Sequence, residues 1–110
     1  MLVAAVTVAL VASLAPPARY DHEPRVPYHV SYVSQAKLQN ICVGQATGAK
    51  DMVLGCSLSE LGLIYVAKGM RPEVADIILR HEKAHINGWT HRGSPFDRRG
   101  PDADLARRGR

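Results

Sequence analysis

Residues 72–88 of this 110-residue chain read PEVADIILRHEKAHING, and they constrain the fold more than any other stretch. Pro72 suits the first position of a helix, where a missing N–H costs nothing, and Glu73 favours the positive end of the helix dipole. Val74, Ile77, Ile78, His81, Ala84 and His85 then recur at helical spacing. Gly88 supplies a stop, because glycine enters the left-handed conformation cheaply. The pattern predicts a helix over residues 72–87 with one face that must be buried.

Upstream segments provide the partner for that face. Residues 26–33 alternate, with Val26, Tyr28, Val30 and Tyr32 on one side, which argues for a strand. Ser34 caps a short helix through Cys42, with Ala36, Leu38 and Ile41 as its apolar positions. Residues 43–50 hold Gly44, Thr47 and Gly48 and read as a loop. Residues 52–58 (MVLGCSL) and 61–67 (LGLIYVA) are short apolar stretches of strand character. Gly62 falls inside the second stretch, with a bulge there as the alternative. Lys68, Gly69 and Met70 make the turn into the long helix. The expected fold is α+β, a short sheet packed on one long helix.

The ends of the chain read differently. Residues 2–15 are almost wholly apolar, broken only by Thr7 and Ser13, and small residues follow at Ala15 and Ala18. The run is short for a bilayer span, which needs about 20 residues, and has the length of a signal-peptide core. No Lys or Arg precedes it. Residues 1–18 are expected to be a signal peptide, giving a secreted or periplasmic protein. The alternative is an uncleaved N-terminal membrane anchor. Residues 19–27 (RYDHEPRVP) read as an exposed linker, and residues 28–91 as the domain. Residues 92–110 are rich in Arg, Gly and Pro, lack an apolar period, and are expected to be a disordered tail.

Net charge is +4 and aromatic residues make up 5% of the chain. So few aromatics argue against a stacking platform for nucleic acid, and Asp97, Asp102 and Asp104 interrupt the basic tail. A core of this size usually needs a staple. Cys42 and Cys56 bracket 13 intervening residues. In an exported protein they form a disulfide, contributing about 3 kcal/mol by loop entropy. In a reducing compartment they would be two small buried thiols. Their spacing is too wide for a Cys/His zinc site.

The second staple is the run HEKAHINGWTH over residues 81–91. His81 and His85 lie one helical turn apart and about 40° apart around the axis, so two imidazoles can hold one metal ion. Glu82 places a carboxylate beside the pair, where a general base for a metal-activated water is needed. Past Gly88 the chain can turn back and deliver His91 as a third ligand, leaving a fourth tetrahedral position open, as catalytic zinc requires. Trp89 is expected to pack the returning chain against the helix. Tyr65 reads as a packing residue rather than an oxyanion donor, and His22 and His29 as surface residues.

The pattern H-E-x-x-H-x-x-G-x-x-H resembles the zinc signature of the metzincin metallopeptidases, within the zincin fold. It is also similar to small uncharacterised bacterial secreted proteins with H-E-x-x-H-x-x-G-W near the C-terminus. The resemblance implies a minimal zincin-like fold, Zn2+ as cofactor, His81, His85 and His91 as ligands, and Glu82 as general base. Asp97 is the alternative third ligand, since some compact zincins use an aspartate. The resemblance also makes residues 61–67 the sheet edge that pairs with an extended substrate, and a peptide or protein the partner. Metzincins place a methionine turn after the third histidine, whereas Met1, Met52 and Met70 all precede it here. Three functions follow: a zinc peptidase, a non-catalytic zinc-stabilised protein of the cell envelope, and a basic adaptor without metal. Membrane contact is expected only through an uncleaved N-terminal segment.

Overall fold

The structure, a computed structural model, describes residues 14–42, 51–90 and 102–107. Its elements are β1 (His29–Val33), α1 (Gln35–Cys42), β2 (Asp51–Leu58), β3 (Leu63–Ala67), α2 (Pro72–Ile86) and β4 (Asp102–Arg107). They form a small α+β fold whose four strands lie in the order β1-β3-β2-β4. β1 runs parallel to β3, and β2 is antiparallel to both β3 and β4.

Local chemistry explains where the elements begin. Pro27 lacks an N–H, so the β1 ladder starts only beyond it, and the His29 amide donates to the Gly62 carbonyl at 2.8 Å. Tyr32 and Val26 remain exposed, while Tyr28 and Val30 pack under α2. The Lys37 amide donates to Ser34 Oγ at 3.2 Å, which caps α1. A 3-10 turn over Ser59–Leu61 joins β2 to β3 and closes on Gly62 with φ 65°. A Cβ at Gly62 would lie 2.7 Å from the Pro27 carbonyl oxygen, so the turn depends on glycine. β3 therefore begins at Leu63 rather than residue 61.

The two helices cover opposite faces of the sheet. Leu38 and Cys42 of α1 pack with Val53, Cys56 and Ala67, and Tyr65 adjoins them. Ile77 and Ile78 of α2 pack with Leu54, Ile64, Val66 and Leu14. Val53 and Cys56 share a face although an unbroken strand would set them on opposite sides. A bulge between Val53 and Gly55, opposite β4, absorbs the extra residue. Beside it, Gln35 donates to the Val53 carbonyl and the Val53 amide donates to Gln39. The disulfide Cys42–Cys56, with Cα atoms 5.8 Å apart, pins the end of α1 to β2.

Three expectations are corrected. Residues 61–67 do not form a sheet edge: β3 is paired on both sides, by the parallel β1 and the antiparallel β2. The tail is not wholly without structure, because Asp102–Arg107 supplies β4 along the other side of β2. The short alternation of Asp102, Ala103, Asp104 and Leu105 is the sequence signal for it, set in an Arg-rich, Gly/Pro-rich stretch.

Nor is the stretch over residues 19–27 a bare linker. Asn87 donates to the carbonyls of Tyr20 and His22, both at 2.8 Å, Arg80 pairs with Asp21, and Lys83 with Glu23 at 2.8 Å. The packed unit thus runs past residues 28–91 at both ends. The Arg80 hydrogen bond holds the Asp21 carboxyl below its ordinary range. Hydrogen bonds from Lys83 and then Tyr28 do the same for Glu23. Lowered carboxylates keep these ties at neutral pH and lose them as pH falls through the lowered values. Exposed pairs of this kind contribute little to stability, so they set the path of the chain more than they hold the fold.

Candidate functional site

α2 ends as its sequence requires. Gly88 takes φ 106°. Its amide donates to the His85 carbonyl and the Trp89 amide donates to the Ala84 carbonyl, both at 3.0 Å. This is the Schellman arrangement, and it folds Trp89 back over the last turns of the helix. The Trp89 indole stacks on the His85 ring with centroids 5.0 Å apart and meets the His81 ring edge-on at 4.9 Å.

His81 and His85 come together beneath it, with ring centroids 4.8 Å apart. His81 is fully buried and His85 is 2% exposed. Each Nδ1 faces a backbone carbonyl: His81 meets Leu14 O at 2.6 Å, and His85 meets Trp89 O at 2.8 Å. A carbonyl can only accept, so each Nδ1 carries a proton. A metal-ligating histidine is held in the same way, by a backbone partner on the nitrogen that does not bind the metal. The donor chemistry of the two histidines therefore fits a divalent metal such as zinc. His85 is held further through its backbone, whose carbonyl accepts from Ser59 Oγ at 3.2 Å.

Glu82 is fully buried between α2 and the sheet. Its carboxylate lies near Gly55 of β2, a glycine that Ile78 approaches more closely still. A Cβ there would stand 3.4 Å from Glu82 Oε2, 3.1 Å from the Tyr65 carbonyl oxygen and 2.8 Å from Ile78 Cγ2. Gly55→Ala is accordingly expected to push α2 off the sheet and cost about 1–3 kcal/mol, read as a lower denaturant midpoint. An unchanged midpoint would mean that Ile78 and Glu82 do not depend on this gap. Two residues along, Ser57 is a buried hydroxyl with no hydrogen-bond partner among the described residues. Its strand partner is Ile64, so it lies on the α2 side of the sheet.

The sequence singled out His81, Glu82 and His85, and the fold gathers them at the C-terminal end of α2. His91 and Asp97, the alternative third ligands, lie outside the described residues. Among the described residues no three His, Cys, Asp or Glu side chains converge as a metal-binding group. Sequence reasoning missed Leu14 and Gly55. A glycine inside a strand pattern is a readable mark of close approach. A backbone carbonyl reaching His81 from residue 14 leaves no such mark. Comparison with known proteins returns no match among family models, curated proteins or solved structures.

Proposed function

We propose that this chain is a zinc-dependent peptidase, with His81, His85 and His91 holding the ion, or Asp97 in place of His91. The observation that carries the reading is the paired geometry: two buried imidazoles one turn apart, each with Nδ1 against a backbone carbonyl. Zinc in such a site supplies Lewis acidity toward a water and a substrate carbonyl. In this reading Glu82 is the general base, taking a proton on its carboxylate and passing it to the leaving amine. A peptide or protein substrate follows from that chemistry. The minimal zincin-like fold belongs to the same proposal.

The disulfide supports an oxidising compartment, hence export to the periplasm or beyond, with the N-terminal run as leader or anchor. No helix among the described residues is long and apolar enough to cross a membrane.

A second reading keeps the metal and drops hydrolysis, leaving a zinc-stabilised protein of the cell envelope. Two observations favour it. His81, Glu82 and His85 are all buried. And β3 has no open side for a substrate strand.

The test common to both is zinc per chain by elemental analysis, on protein purified without a metal-affinity tag. About one zinc is expected, bound more weakly in His91→Ala if that residue is the third ligand, or in Asp97→Ala if it is not. No zinc after reconstitution overturns both readings.

A further inference from the structure

We infer that Leu14 is a built-in part of the His81 site, so that the mature chain is retained at least as far back as Leu14. The retention rests on packing; only its consequence for the metal rests on the function proposed above. Leu14 is 1% exposed and lies in the same cluster as Leu54, Ile64, Val66, Ile77 and Ile78. A cut after Ala15 or Ala18, the small residues that suit a signal peptidase, would take this side chain out of the core and bare that cluster to water.

The same cut would take away a hydrogen bond. The Leu14 carbonyl accepts Nδ1–H from His81 at 2.6 Å in a fully buried setting. Without it, His81 loses the partner that fixes its ring and its tautomer, and a buried N–H is left without an acceptor. The ties at Tyr20, Asp21, His22 and Glu23 lie beyond either cut and would survive it. They bring the chain along α2 to the His81 turn, and Leu14 closes that path. Leu14 is thus a positioning residue acting through His81. Retention makes residues 2–13, which contain no ionisable side chain, an attached segment rather than a removed leader.

The experiment starts with the full chain, expressed with its own N-terminus in an exporting bacterial host. The intact mass of the folded protein is expected to include Leu14. A folded chain beginning at Pro16 or Arg19 overturns the retention whatever its zinc affinity, and one that binds zinc as tightly as the uncut chain overturns the positioning role as well.

Zinc competition then tests the positioning role. Leu14→Asp keeps the backbone carbonyl but drives its side chain out of the apolar cluster and the carbonyl away from His81. It is expected to weaken zinc about tenfold, the scale of losing an outer partner of a ligand. Leu14→Ile should restore wild-type affinity. Val66→Ala, in the same cluster, should lower the melting temperature and leave zinc affinity unchanged. If Leu14→Asp fails to fold, Leu14→Ala carries the same comparison. Equal zinc affinity in the Leu14 variants and the wild type overturns the positioning role. If the wild type binds no zinc, the metal reading fails separately and the mass alone decides retention.

Discussion

Glu82→Gln is expected to keep its zinc and lose 10²–10⁴-fold in peptide hydrolysis, the usual contribution of a positioned general base. Glutamine matches glutamate in shape, and the gap at Gly55 accommodates either side chain, so packing against Ile78 stays. What changes is chemistry: an amide cannot accept the proton a carboxylate takes. His81 and His85 keep their carbonyl partners at Leu14 and Trp89, so the contacts that orient their rings are unaffected. The measurement pairs zinc content with turnover of a peptide library at neutral pH. Activity within a few-fold of wild type, at equal zinc, would remove Glu82 from the mechanism. Zinc-loaded wild type with no turnover on any peptide would transfer the conclusion to the non-catalytic reading, which the paired sides of β3 favour.

Local chemistry made part of this legible in advance. The helix ran from Pro72 to Ile86 against an expectation of residues 72–87, because N1 proline, helical spacing and a C-terminal glycine are all local signals. The cysteine pair was equally readable, since 13 intervening residues and an exported context suffice to suggest a bridge. What escaped was non-local and carried by backbone. β4 pairs through amides and carbonyls of a segment rich in charge. The bulge at Val53–Gly55 changes the facing of half a strand without any unusual side chain except the glycine. His81 takes its partner from a carbonyl 67 residues away, in a stretch whose composition suggested only a leader. The histidines could be found from spacing; what orients them could not.

The disulfide should carry the largest stability effect. Cys42 and Cys56 close a loop of 13 residues, and its loss is expected to cost about 3 kcal/mol, two orders of magnitude in the folding equilibrium. In a domain of this size that lowers the melting temperature by roughly 10–20 °C. The double variant Cys42→Ala, Cys56→Ala is preferred to serines, which would bury hydroxyls where Cys56 is fully enclosed. The bridge acts on the α1 side of β2, and the next residue, Gly55, faces Glu82 on the α2 side. Zinc, if held on α2 as proposed, would act on the opposite face of the sheet from the disulfide, with no contact shared among the described residues. Their contributions should add. Zinc at 100 times its Kd would return about 2.7 kcal/mol, nearly offsetting the lost bridge. Calorimetry on four samples, oxidised and double variant, each with and without zinc, reads this directly. If zinc raises both by the same amount, the two faces are independent. If zinc stabilises only the oxidised chain, the bridge is needed to hold β2, and Gly55 with it, in the shape that seats Glu82 beside the two histidines.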